Sequence, residues 1–219
     1  MLPRAVLFDL DGTLIDSIPL ILSSMQAAFA GHPRPPSVSE WTALIGTPLD
    51  AMIRRWAVDE ADVERLKERY KVHQWAHHDA MVRAFPGVPE MLATLRGRGI
   101  RMAVVTSKLE PSARRSLEFL GLSGHFERVV GLEATERHKP DPAPVHHAID
   151  ALGARPGEAA FVGDSPHDVE AGNAAGVATV ATLWGPFSRA QLAPARPRAW
   201  AERVEDVVPV LEGLGIPGV

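Results

Sequence analysis

Cysteine is absent from the 219 residues, which excludes a disulfide framework and any thiolate chemistry and is compatible with a reducing compartment. No apolar run is long enough to span a bilayer, and Met1-Leu2-Pro3-Arg4 leads straight into the first predicted strand with no apolar signal segment. A basic bias is missing too. With 23 Lys and Arg against 27 Asp and Glu, the net charge is −4 and the cations are dispersed, so neither nucleic acid nor an anionic membrane is expected as a partner. Internal repeats and low-complexity segments are also lacking. These absences lead to the expectation of a cytoplasmic protein, monomeric or homodimeric. What the chain does have is apolar material, 46% of its residues, enough for the core of one large domain or of one domain carrying an insertion.

The apolar run Ala5-Val6-Leu7-Phe8, without polar alternation, suits a central parallel strand covered on both faces. A helical pattern follows, with Ile18, Leu22, Met25 and Phe29 three or four apart, and stops at Gly31-His32-Pro33. The next strong strand, Arg101 to Thr106, lies about 95 residues beyond Asp11, whereas a whole βαβ unit takes about 30, so something is inserted. The insertion reads as helical: a linker from Pro33 to Ser37, a helix around Pro48 to Ala57, and a long helix from Asp59 to about His78. On that helix Val63, Leu66 and Tyr70 share one face while Val72 and Trp75 point elsewhere, which predicts packing on more than one neighbour. Glu64 with Lys67, and Glu68 with Lys71, read as solvated pairs.

Phe85-Pro86-Gly87-Val88-Pro89 marks the return, with Pro89 starting a helix to Gly97 or Gly99. Strand and helix then alternate: Arg101 to Thr106, a helix from Pro111, Phe126 to Val130, a helix from Pro142, Ala159 to Val162, a helix from Pro166, and Ala178 to Leu183. This alternation predicts a parallel sheet. Arg189 to Arg198 reads as a surface loop, and Val204 to Leu214 as a final helix.

Polar residues gather where these strands end, which is where an open α/β sheet binds its ligand. Asp9-Leu10-Asp11-Gly12-Thr13 puts two carboxylates at the mouth of the first strand. Two close carboxylates repel, and a divalent cation or a shared proton relieves them; the alternative is a pair of turn-forming Asp residues. Thr106-Ser107-Lys108 offers hydroxyls and free amides to an anion, or simply caps a turn. Lys139 precedes a proline, and a loop lysine is commonly solvated. Asp164 stands at a strand exit after Gly163, while Ser165 and Asp168 fit a capping-box variant. His77-His78 and His146-His147 read as surface or helix-face residues.

Taken together, these segments resemble the haloacid dehalogenase superfamily, and its phosphoglycolate phosphatase branch in particular, over nearly the whole chain. The first motif is similar to Asp9-Leu10-Asp11-Gly12-Thr13, the second to Thr106, the third to Lys139, and the fourth to Gly163-Asp164 with Asp168. The resemblance implies a doubly wound α/β core, residues 1–16 and 85–219, with an inserted all-helical cap at 17–84. It implies a phosphatase acting on a small phosphorylated metabolite, with Asp9 as nucleophile and Asp11 as acid and base. Mg²⁺ would be held by Asp9, Asp11 through its backbone carbonyl, and Asp164. Thr106, Ser107 and Lys139 would hold the phosphoryl group, and Asp168 would support them. Gly46 and Thr47, in a loop similar to the one by which such caps reach the site, would select the substrate. Dehalogenating members lack an acid at the position of Asp11, and phosphonate-cleaving members carry a small residue there, so neither fits. A β-phosphoglucomutase-type mutase, an inorganic pyrophosphatase on the same fold, and a catalytically silent binding protein are the alternatives.

Overall fold

The structure is a computed structural model and describes residues 2–216; Met1 and residues 217–219, the outer ends of the expected core, lie outside the described residues. Strand β1, Ala5–Phe8, is wholly buried. Its alternate side chains feed two separate clusters, Val6 and Phe8 on one face and Ala5 and Leu7 on the other, because successive strand residues point to opposite sides. An all-apolar strand is therefore what a sheet covered on both faces requires.

A two-residue strand β2, Ile15–Asp16, opens the insertion, which consists of α1 (Ile18–Ala28), α2 (Val38–Thr42), α3 (Leu49–Arg54) and α4 (Glu60–Met81). Strand β3, Arg83–Ala84, closes it by pairing antiparallel with β2. The inserted cap is all-helical and has its own core, in which Met25, Phe29, Trp41, Ile53, Leu66 and Tyr70 are buried together. Trp41 packs between Phe29 and Trp56, with ring centroids 4.9 and 4.7 Å away. A buried pair, His32 Nε2 and Asp62 Oδ2 at 3.0 Å, ties the end of α1 to α4.

The chain then runs through α5 (Val88–Gly97), β4 (Arg101–Val105), α6 (Glu110–Phe119), β5 (Arg128–Val130), α7 (Ala143–Ala151), β6 (Ala159–Gly163), α8 (Pro166–Ala174), β7 (Ala178–Thr182), α9 (Arg189–Leu192), β8 (Ala199–Ala201) and α10 (Val207–Gly213). The six-stranded sheet has the order β5-β4-β1-β6-β7-β8, with every pairing parallel. Helices α5, α6 and α10 cover the face carrying Phe8, and α7 and α8 cover the other. This is the expected doubly wound α/β sheet with a helical insertion. The winding reverses beside β1, between the ends of β4 and β6, which opens a crevice at those carboxyl ends. No helix among the described residues is long and apolar enough to cross a membrane.

Several local expectations are corrected. The Pro-rich stretch Pro33 to Ser37 is a linker as expected, but it leads into an unexpected helix, α2, which Ser37 caps through a reciprocal bond with Glu40. The expected loop from Arg189 to Arg198 holds α9 and leads into β8, whose three residues are too few to show a period. Residues 204–206 form a 3₁₀ turn before α10. Helix α4 does pack on more than one neighbour, α1 and α3, but Val72 and Trp75 are not what it buries there: they are 60% and 67% exposed, and the Arg115 guanidinium covers the Trp75 ring at 3.8 Å. Lys67 pairs with Glu64 and also with Asp50, whereas no Glu68–Lys71 pair forms among the described residues. His78 is buried, not on the surface, and lies 2.8 Å from Ser116 Oγ on α6.

Candidate active site

Three strand ends meet in the crevice. Beyond β1, the Asp9 amide donates to Val162 O at 2.9 Å, which ties the loop to β6 and buries the Asp9 side chain. Gly12 has φ +89°, and a Cβ there would stand 2.5 Å from Asp164 Oδ2, so the turn needs glycine both for its backbone and for the space it leaves. Gly185 presses on Asp164 from the other side, where a Cβ would lie 2.5 Å from Asp164 Cβ. Asp164 follows β6 directly. It accepts a bond from Thr13 Oγ1 on Oδ1 at 2.5 Å, while its buried Oδ2 has no partner.

Lys139, far from solvated, is buried in the centre. Its ammonium donates to Asp168 Oδ1 at 2.6 Å, Asp9 Oδ1 at 2.9 Å and Val105 O at 3.1 Å. Asp168 also caps α8 as expected, with its Oδ2 accepting from the Ser165 hydroxyl and amide at 2.6 and 3.0 Å. Both Asp168 oxygens are thus engaged. Carboxylate oxygens of Asp9, Asp164 and Asp168 lie within 4.8 Å of one another, and one buried ammonium faces all three acids.

The electrostatics follow from that imbalance. Burial first, and then the Asp168 charge, push the Asp9 carboxyl up to about 7 against the pull of Lys139. Burial, followed by the charges of Asp9 and Asp168, also raises Asp164 well above the usual carboxylate range, more than the Thr13 bond lowers it. Burial pulls Lys139 down, but Asp168 and Asp9 outweigh it and hold the ammonium above its ordinary value. A cluster of acids with an orphaned buried oxygen and only oxygen donors suits a hard divalent cation such as Mg²⁺. Asp9 and Asp164 have oxygens to offer such an ion.

Asp11 turns away from this cluster. Its Oδ1 accepts from Ser17 Oγ at 2.5 Å and from Lys108 Nζ at 2.6 Å. Thr106, buried at the end of β4, lines a cavity of about 390 Å³ together with Asp9, Asp11, Ser107, Gly46 and Thr47. The structure therefore brings every expected site residue to one place. Ser107 differs in detail, because its hydroxyl donates to Gly46 O at 2.6 Å and so fastens the cap loop where a phosphate contact was expected. Gly46 has φ +94°, and a Cβ would lie 3.0 Å from Ser165 Oγ; the loop can approach the core only without a side chain there. Thr47 Oγ1 donates to Leu44 O at 2.7 Å.

Sequence reasoning gave no role to Ser17, Lys108, Gly185 or His78. The lysine stood inside a motif already quoted. Gly185 lies 21 residues beyond Asp164, across β7, and no local pattern marks it.

Comparisons with known proteins bear on this arrangement. Residues 6–182 match the family described as haloacid dehalogenase-like hydrolase. The chain is 39% identical over 177 residues to pyrophosphatase PpaX of Halalkalibacterium halodurans, covering 80% of this chain and 81% of that protein. It is 33% identical over 209 residues to pyrophosphatase PpaX of Anoxybacillus flavithermus, covering 95% and 96%. Among solved structures, a predicted phosphoglycolate phosphatase from Haemophilus somnus superposes with a TM-score of 0.86 at 26% identity, covering 94% of this chain and 96% of that one. A hydrolase from Pseudomonas syringae shares the fold at TM-score 0.87 and 24% identity, covering 96% and 98%. With its strand-end motifs in order on a doubly wound sheet, and with these relatives, the chain belongs to the haloacid dehalogenase-like hydrolases.

Proposed function

We propose that this phosphatase-type hydrolase is Mg²⁺-dependent and cleaves a small, phosphoglycolate-like phosphomonoester through phosphorylated Asp9. The observation that carries the reading is the set of three buried acids around one ammonium, with Asp164 Oδ2 left without a partner. Asp9, Asp164 and the Asp11 backbone would hold the cation, which when bound offsets the negative charge of nucleophile and phosphate. A bond forms from the Asp9 carboxylate to phosphorus as the bond to the leaving oxygen breaks, and Asp11 gives that oxygen a proton. Water then attacks phosphorus, its proton passes to Asp11, and the bond to Asp9 breaks. Thr106 orients the phosphoryl oxygens, and Ser107 contributes there through its position more than its bonded hydroxyl. Lys139 supplies the fixed positive charge beside Asp9, and Asp168 holds Lys139 in place. Residues 17–84 form the cap domain in this reading, and closure against the core excludes water until the ester is cleaved. The protein would act in the cytoplasm.

A second reading, inorganic pyrophosphatase, is favoured by the names of the two relatives given above. The test measures phosphate release with Mg²⁺ from 2-phosphoglycolate, pyrophosphate and β-glucose 1-phosphate, in wild type and in Gly46→Val. The proposal expects 2-phosphoglycolate to lead and the variant to change the ranking, because the Gly46 turn lines the cavity. Pyrophosphate in the lead selects the second reading. Glucose 6-phosphate accumulating faster than phosphate selects a mutase.

Metal binding is expected to appear in stability as well. Asp9 has a raised value when folded, so in metal-free protein the stabilisation from its proton is complete below about 4 and fades as pH rises through about 7. A cation replaces that proton. Adding Mg²⁺ to EDTA-treated protein should therefore raise Tm more at pH 8 than at pH 5, and at a hundredfold excess over the Kd at pH 8 the gain there is equivalent to about 2.7 kcal/mol. Melting curves unchanged by Mg²⁺ at both pH values would remove the metal site.

A further inference from the structure

The chain has four lysines, Lys67, Lys71, Lys108 and Lys139, and two of them sit among the reacting groups with opposite hydrogen-bond inventories. An ammonium has three donors. Lys139 spends all of them, on Asp9, Asp168 and Val105 O, which leaves none for a ligand unless a bond breaks. Lys108 spends one, on Asp11 Oδ1 at 2.6 Å. Its backbone is fixed, with its amide donating to Thr106 Oγ1 at 3.2 Å and its carbonyl accepting from Leu132 N at 2.9 Å. The side chain is 12% exposed and lines the cavity.

The other cations lining that cavity are placed differently. Arg115 is held by Asp79 at 3.0 Å and by the Trp75 ring. Lys71 is exposed on α4. Among the described residues, the cavity contains no carboxylate except Asp9 and Asp11. Beyond the two acids of the proposed chemistry, its charge is therefore positive, and the cation in contact with Asp11, Lys108, has donors unspent.

We infer that Lys108 is a specificity-determining residue which grips an anionic group on the leaving portion of the substrate, so that the enzyme takes phosphoryl compounds carrying a carboxylate or a second phosphate next to the scissile bond. The inference rests on the reading of Asp9 and Asp11 given under Proposed function. Asp11 is there the group nearest the leaving oxygen, and Lys108 lies in contact with Asp11. An anion one or two bonds past that oxygen falls beside the lysine's free donors, where a charge-assisted bond forms at short range. A neutral hydroxyl at the same place gives the ammonium far less. Esters and anhydrides are thus admitted by one shared feature, a second negative charge.

The experiment compares kcat/KM with saturating Mg²⁺ for 2-phosphoglycolate, pyrophosphate and 2-hydroxyethyl phosphate, the last having a neutral leaving group of similar size. Wild type, Lys108→Met and Lys108→Arg are assayed, with melting curves to confirm folding. Wild type should prefer the anionic substrates. In Lys108→Met the preference should fall by about tenfold or more, carried chiefly by KM, and Lys108→Arg should restore part of it. A loss confined to 2-phosphoglycolate assigns a carboxylate, and one confined to pyrophosphate assigns a phosphate. Equal losses on all three substrates overturn the inference and make Lys108 a support for Asp11. If Lys108→Met does not fold, the arginine variant and the wild-type preference decide. Wild type that cleaves 2-hydroxyethyl phosphate as well as the anionic compounds overturns the inference and leaves the phosphatase reading standing, while no Mg²⁺-dependent phosphate release from any of them overturns both.

Discussion

Asp9→Asn is expected to lower kcat by on the order of 10³-fold or more while the protein stays folded. A carboxamide cannot displace the leaving oxygen from phosphorus, so both half-reactions stop at once. Folding should survive because Asp9 is strained by its surroundings. It is buried next to Asp168, and its carboxyl is pushed up to about 7, so an uncharged isostere relieves repulsion as it weakens the bond to Lys139. The measurement is phosphate release at saturating substrate together with thermal melting. A variant that melts normally and retains near wild-type turnover would show that the nucleophile lies elsewhere, and a beryllofluoride complex formed equally well by the variant would say the same.

Lys139→Met should be damaging in a different way, through stability first. Removing this ammonium leaves Asp9, Asp168 and Asp164 buried with no cation among them, and breaking a buried ion pair from one side costs about 3–5 kcal/mol. For a chain of this length that corresponds to a fall in Tm of about 10 °C. The sign of the pH dependence follows. Asp9 and Asp164 already hold their protons more tightly than in the unfolded chain, and losing the ammonium that lowers both strengthens that hold, so their stabilisation is present at low pH and lost as pH rises. The variant should therefore be worst at pH 8, recover as the pH is lowered towards 5, and recover at pH 8 when Mg²⁺ is added. Turnover should fall steeply in every condition. A variant melting within about 2 °C of wild type at pH 8 without metal would mean that the three acids are not held together as described.

The two substitutions separate what is local in this site from what is not. Each strand end could be recognised by its own short pattern: an apolar run, then an acid or a hydroxyl, then a glycine or a proline-led helix. Ser165 and Asp168 are legible because the two members of a capping box stand only three positions apart. Lys139 is not legible in the same sense. Nothing near it in the sequence buries it, and its partners Asp9 and Asp168 are 130 and 29 residues away. The bond from Thr13 to Asp164 crosses 151 residues, and the bond from Ser107 to Gly46 joins core to cap across 61. The sequence resemblance supplied the roles, while the partners came from the packing.

The missed elements have the same cause. Strands β2 and β3 have two residues each and exist because they pair with one another. Strand β8 has three residues and exists because β7 offers it an open edge. His78 follows a polar, histidine-rich turn of α4, and only the approach of α6 buries it.

By itself the sequence determined the alternation of strands and helices, the place of the insertion, and which strand ends carry acids and hydroxyls. Those features depend on residues within one or two turns of each other, and hydrophobic period, glycine and proline act at that range. The tertiary structure decided which of these groups face one another, which oxygen of Asp164 is left without a partner, and which lysine has donors to spare. Burial and charge neutralisation depend on distances in space, and here those are set by a sheet whose neighbouring strands, β1 and β6, are about 150 residues apart in the chain.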